Sequence, residues 1–333
     1  MPKALPTVYP QAMGWVAIAA IAFVVPFYAR YILVGRRGVA RWVLFVSGTL
    51  LVASVPALVP TDSLPDWAGP VCTFTAAIWA LMEAIRLADF AWDRYPDETI
   101  RTQAPHFLLT FLVAPDAHWL EPTARGEARK QGLRVIGRGL AKLPFLFGLL
   151  AISTVYPTLH EYWFLQIYWA LWTMYFAASA GADFLFIAPY CLAGLSVDEM
   201  FDVPPIASSP RDFWSRRWNL VFRTLAHRHI FLPLGGRDRP LLAVSAVFVF
   251  SAAVHEYLVV MALGSTQGHM AAFFLLHGAA TIAYGLLSKR RGGRPFMPRP
   301  AAIGMHMVFL TVTGWLFFQP FLQVIPAHTF QLW

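Results

Sequence analysis

Residues 241–263, LLAVSAVFVFSAAVHEYLVVMAL, run from Leu241 to Leu263 with His255 and Glu256 as their ionisable side chains. A helix rises about 1.5 Å per residue, so a stretch of this length crosses the roughly 30 Å hydrocarbon core of a bilayer. The rest of the chain has the same character. Of its 333 residues, 58% are hydrophobic and 13% are charged, where a soluble protein carries about 25% charged residues. With 13 Trp, 11 Tyr and 27 Phe in addition, this composition excludes a disordered chain and disfavours a soluble globular enzyme. The reading is an all-α, polytopic membrane protein, with one membrane-embedded domain over 1–333.

Windows of about twenty apolar residues predict spans near 12–34, 42–60, 68–87, 143–159, 162–180, 241–262, 270–288 and 301–320, about eight in all. The first exceeds a signal-peptide core and is read as retained. A further apolar piece, 183–195, is too short to cross and is either a continuation of its neighbour or re-entrant, as is 104–114. Cys72 and Cys191 lie inside apolar stretches and cannot build a disulfide scaffold or a four-ligand zinc site.

The net charge of +8 is sided, which argues against nucleic acid. Arg30, Arg36, Arg37 and Arg41 flank the first hairpin, and the other basic clusters fall between Arg86 and Lys142, Arg211 and Arg239, and Lys289 and Arg299. Loops 61–67, 157–161, 264–269 and the tail after Pro320 contain no Lys or Arg. Eight spans therefore place every basic loop in the cytoplasm and both termini opposite, and any odd error in the count would scramble that sorting. Segment 124–142 interleaves Leu133, Ile136 and Leu140 with Arg125, Arg129, Arg134, Arg138 and Lys142, the pattern of an interfacial helix drawn to lipid headgroups.

Two features carry chemistry. The basic loop contains Pro210-Arg211-Asp212-Phe213-Trp214-Ser215-Arg216-Arg217-Trp218-Asn219. Trp and Arg together suit interfacial anchoring, while Arg216, Arg217, Arg223 and Arg228 also suit a phosphorylated substrate, because guanidinium forks match phosphate oxygens. The second is His255, fourteen residues, or roughly 21 Å, into its span from Leu241. An imidazole there serves as a structural hydrogen bond between spans or as a general base. Glu256 points about 100° away from it on a helix and is a supporting residue. His160-Glu161-Tyr162 repeats the letters in an outer loop. Neither site has a histidine four positions on, so no zinc protease motif occurs, and no nucleophile elbow, Walker loop or dinucleotide loop is present. His269, His277 and His306 sit in or beside other spans, with nothing in their spacing to argue for a metal.

Phe213 to Asn219 followed by Ala252 to Glu256, with Phe201-Asp202-x-Pro204 and Ser208-Ser209 upstream, resembles the membrane-bound O-acyltransferase (MBOAT) superfamily, most closely its wax-synthase-like branch. His255-Glu256-Tyr257-Leu258 is similar to the corresponding stretch of sterol and diacylglycerol O-acyltransferases. One departure is Pro233-Leu234-Gly235-Gly236, which looks like the polysaccharide O-acetylating branch, where a histidine usually replaces Asn219. The resemblance implies a helical core with a central tunnel and direct acyl transfer from acyl-CoA to the hydroxyl of a lipophilic alcohol. His255 would be the general base and Asn219 a donor to the thioester carbonyl or a positioning group. Trp214, Arg216, Arg217, Trp218 and Arg223 would line the acyl-CoA mouth, with Asp212, Phe213, Glu256 and Tyr257 in support and no metal. The competing readings are an O-acetyltransferase of a glycan or small metabolite, and a proton-coupled transporter with a relay through Glu83, Asp183, His255 and Glu256. Arginine outnumbers lysine 22 to 4 and the loops are short, which points to a bacterial inner membrane over endoplasmic reticulum.

Overall fold

Backbone N–H and C=O groups in hydrocarbon have no water to bond, so apolar segments of this length satisfy themselves as helices. The computed structural model describes residues 8–33, 36–92, 121–122, 124–197 and 199–324. The apolar piece 104–114, together with Lys3, Arg94, Arg101 and the tail after 324, lies outside them. The long helices are α1 (Val8–Phe27), α2 (Gly38–Ala53), α3 (Ala68–Ala91), α4 (Arg125–Val155) and α5 (Trp163–Gly181). After them come the short α6 (Leu220–Ala226) and the long α7 (Pro240–Leu263), α8 (His269–Arg290) and α9 (Arg299–Val324). Among the described residues, seven helical stretches are long and apolar enough to cross a membrane, beginning at Gly38 and ending at Val324. The expected first span is helical as well, with a shorter apolar part, Ala12–Phe27.

The chain divides into two compact units, the described residues of Met1–His118 with Tyr257–Thr266, and those of Trp119–Glu256 with Gln267–Trp333. Helix α7 changes unit between Glu256 and Tyr257. In the first unit, Val25, Ala29, Leu33, Val52, Leu87 and Phe90 form the core, and the Tyr28 hydroxyl donates to Leu44 O at 2.6 Å. Glu83 and Arg86 pair one helical turn apart on α3, both buried.

In the second unit, the expected interfacial helix and the span after it are one continuous helix of 31 residues, α4. Pro144 removes a single backbone bond without ending the helix, because the flanking Leu, Ala, Arg and Lys are good helix formers. The basic stripe is also not wholly given to lipid. Arg138 and Lys142 turn inward to the buried Asp183, and Lys142 Nζ bonds Asp183 Oδ2 and Ser179 Oγ at 2.6 Å each. Gly139 makes this approach possible, since a Cβ there would sit 2.7 Å from the Phe184 ring. The piece from Asp183 proves to be a continuation, because α5 runs on through Ala182–Ile187 into Ala188–Leu192. A two-residue antiparallel ladder pairs Glu121 with Ser196 and Pro122 with Leu195.

Candidate active site

The signature segment folds around its own polar side chains. Ser209 Oγ accepts from the Asp212 N–H at 3.1 Å, and Asp212 Oδ2 accepts from the Ser208 N–H at 3.1 Å, a reciprocal cap that starts a turn of helix. Phe213 to Arg217 then make one wide turn, closed by the Trp218 N–H on Phe213 O at 2.9 Å. Arg217 braces it, its Nε donating to Asp212 Oδ2 at 3.0 Å and Nη1 to Asp202 O at 3.1 Å, while the Asp202 N–H returns to Arg217 O at 2.9 Å. Burial alone would raise the Asp212 carboxyl, but the Ser208 N–H and the Arg217 guanidinium outweigh it and hold the pKa below the usual value.

Asn219 follows with φ 42° and ψ 64°, a left-handed conformation that asparagine tolerates far better than most side chains. Its Oδ1 accepts from the Phe222 N–H at 3.1 Å and so caps α6. That bond fixes the amide orientation and leaves the NH2 group as the side chain's uncommitted end among the described residues.

The residues expected at the donor mouth separate into two groups. Arg216 is exposed, and its guanidinium makes no hydrogen bond among the described residues. Arg223 is also exposed, with Nη1 on Ser215 O at 3.2 Å. Arg217 is only 13% exposed and is engaged by the loop. Trp218 stacks on Phe213 with centroids 5.4 Å apart and meets Phe201 at 5.0 Å. Trp214 points inward, among Phe248, Phe273 and Phe274. Gly235 and Gly236 both adopt positive φ, 99° and 51°, so backbone geometry alone accounts for the two glycines after Leu234.

On α7, His255 Nδ1 lies 2.8 Å from Ser251 O, one helical turn back. A carbonyl oxygen only accepts, so Nδ1 carries the proton and Nε2 holds the lone pair. Nε2 makes no hydrogen bond among the described residues, and His255 as a whole residue is half-buried. Its ring lies against Phe274 at 4.1 Å and near Phe317 at 6.1 Å. Glu256 leaves in another direction, and its Oε1 accepts the Ala271 N–H at 2.8 Å in the first turn of α8. That places a carboxylate at the positive end of a helix. Tyr257 lies in the other unit, its hydroxyl donating to Ala53 O at 3.3 Å.

Sequence spacing had no means of assigning two further histidines. His277 Nδ1 accepts from Trp214 Nε1 at 3.0 Å, and its Nε2 lies 2.9 Å from Thr313 Oγ1. Buried His306 rests near Phe213 at 5.6 Å and Phe309 at 6.1 Å, both ring nitrogens lacking a partner among the described residues. The two histidines come from different helices, so the only early sign of either was an ionisable residue at span depth.

Residues 197–276, which hold both the signature turn and His255, match the membrane bound O-acyl transferase family. The likeness is to that family, over this segment of the chain. A probable long-chain-alcohol O-fatty-acyltransferase 2 of Arabidopsis thaliana is 32% identical over 167 residues, 46% of this chain and 48% of its own. The Arabidopsis acyl-CoA–sterol O-acyltransferase 1 is 29% identical over 167 residues, 47% of this chain and 46% of its own. A long-chain-alcohol O-fatty-acyltransferase of Simmondsia chinensis is 24% identical over 323 residues, 91% of this chain and 87% of its own. The chain thus spans about half the length of the Arabidopsis relatives it matches and most of the Simmondsia protein.

Proposed function

We propose that the protein is an acyl-CoA-dependent O-acyltransferase that esterifies a lipophilic alcohol, with His255 as the general base. The observation that carries this is the bond from His255 Nδ1–H to Ser251 O, which leaves an oriented lone pair on Nε2 inside an otherwise apolar span. The alcohol oxygen would attack the thioester carbonyl carbon as its proton passes to Nε2. The carbon–sulfur bond then breaks, and the imidazolium returns the proton to the departing thiolate. The Ser251 carbonyl faces the ring throughout and favours the charge that develops on it. The Asn219 NH2, freed for donation because Oδ1 caps α6, would support the oxygen that gains charge.

The relatives named as long-chain-alcohol and sterol acyltransferases support a lipid hydroxyl as acceptor. With the basic loops cytoplasmic, Arg216 and Arg223 would meet the CoA phosphates from the aqueous side, while the acyl chain and the alcohol reach the base through a tunnel among the spans. Water kept from that tunnel would not hydrolyse the thioester. A relay-type transporter fits less well, because the groups it needs are held locally: Glu83 by Arg86, Asp183 by Arg138 and Lys142, and Glu256 by the Ala271 N–H.

The test offers the purified protein radiolabelled palmitoyl-CoA with fatty alcohols, sterols or diacylglycerol, and separately acetyl-CoA with sugars. Ester formation with a long-chain donor and a lipid alcohol supports the proposal. Acetyl transfer alone, or no ester with any pair, refutes it.

A further inference from the structure

We propose that His277, held by Thr313, is a positioning residue that fixes the aromatic seat of His255 from the signature loop. The inference rests on the acyltransferase reading above.

The hydrogen bonds behind Trp214 admit one arrangement of protons. An indole nitrogen only donates, so Trp214 Nε1–H must be accepted by a lone pair on His277 Nδ1, 3.0 Å away. The His277 proton is therefore on Nε2, which donates to Thr313 Oγ1 at 2.9 Å. Thr313 in turn donates to Phe309 O on its own helix at 2.7 Å. The chain joins the signature loop to α8 and α9 and ends on a helix carbonyl. Each of these three side chains donates its hydrogen-bonding proton and none is left over, an outcome worth more in a water-poor interior than at a surface.

The consequence lies in the packing of the indole ring. Trp214 meets Phe274 at 5.6 Å and 51°, and Phe274 lies against the His255 ring at 4.1 Å and 35°. Phe248 and Phe273 complete the packing, and α7 and α8 are close enough there that a Cβ at Gly278 would come within 2.8 Å of Phe248. The Ser251 carbonyl sets where Nδ1 points, and the Phe274 face, the nearer of the two rings described beside it, limits how the imidazole tilts about that bond. The loop that carries Asn219 is thus fastened, through Trp214 and Phe274, to the imidazole with which Asn219 would act.

Initial rates with palmitoyl-CoA and hexadecanol, normalised to monodisperse folded protein, test this in His277→Leu, His277→Gln, Thr313→Val and Thr313→Ser. His277→Leu and Thr313→Val should lower kcat by about tenfold to a hundredfold, the scale of a misplaced reacting group, with KM for palmitoyl-CoA within about twofold. His277→Gln should recover most of kcat, because one amide can accept from the indole and donate to threonine, and Thr313→Ser should behave as wild type. A merely structural role would lower the yield of folded protein and leave kcat per folded molecule unchanged, which would overturn the proposal. So would a glutamine variant no better than leucine. If His277→Leu does not fold, Thr313→Val decides alone. His255→Ala runs in parallel: its inactivity beside wild-type turnover in the His277 and Thr313 variants sinks only this inference, whereas full activity in His255→Ala sinks the acyltransferase reading.

Discussion

At the scale of single residues, Asn219 is asked to do two things that substitutions can separate. Aspartate keeps an oxygen for the Phe222 N–H and accepts the left-handed backbone, but has no NH2 to donate. Asn219→Asp should therefore melt within a few degrees of wild type while ester formation falls about a hundredfold or more, the usual cost of losing an oxyanion donor. A parallel loss of melting temperature and rate would make Asn219 a cap alone. Arg217 and Arg216, adjacent in sequence, should also part company. Arg217→Ala releases Asp212 and Asp202 and should lower the melting temperature, whereas Arg216→Glu should raise KM for acyl-CoA by about tenfold through lost phosphate pairing without changing KM for the alcohol. Asp212 adds a pH dependence. Because its folded pKa is depressed, its contribution is present above the ordinary aspartate value near 4 and is lost as pH falls through the lower folded value. The difference in melting temperature between wild type and Asp212→Asn should accordingly close below about pH 4. The sequence pointed to His255 as an ionisable residue deep in a span, and to Asn219 through the resemblance carried by Phe213 to Asn219. It could not show that Arg217 and Trp214 are committed to the fold, since their partners Asp202 and His277 lie 15 and 63 residues away.

At the scale of elements, the sequence reading succeeds where hydrophobic length alone decides the outcome. Leu241 to Leu263, read as a span from its first residue, is helix α7 almost to the residue. It fails at the junction of α4, because the same basic stripe that suits a membrane surface also suits a buried carboxylate, and Asp183 lies on another helix. Glu256 shows the same limit. Its neighbour in sequence is His255, but its partner is the Ala271 N–H at the start of α8. Glu256→Ala should cost about 1–2 kcal/mol by uncapping that helix, and Glu256→Gln should keep most of it because the amide oxygen still accepts. Thermal melting in detergent reads both. A Glu256→Ala protein that is fully stable but inactive would assign the carboxylate to chemistry instead.

At the scale of the whole molecule, the proposed reaction draws its two substrates from different surroundings. In the proposed reaction a charged CoA would approach the arginine-bearing loop, a lipid alcohol would come from the bilayer, and the base would lie between them. The sorting of Arg and Lys into alternate loops was legible in the sequence. The tautomer of His255 was not, because it depends on which carbonyl its ring meets. The proposed role of His255 as the base, which that tautomer permits, is tested most directly by ester formation from radiolabelled palmitoyl-CoA and hexadecanol by His255→Ala, measured beside wild type on protein of matched stability that still binds palmitoyl-CoA. The expected result is a rate lower by at least about a hundredfold with donor binding retained. Turnover equal to wild type would contradict the assignment of His255 as the base.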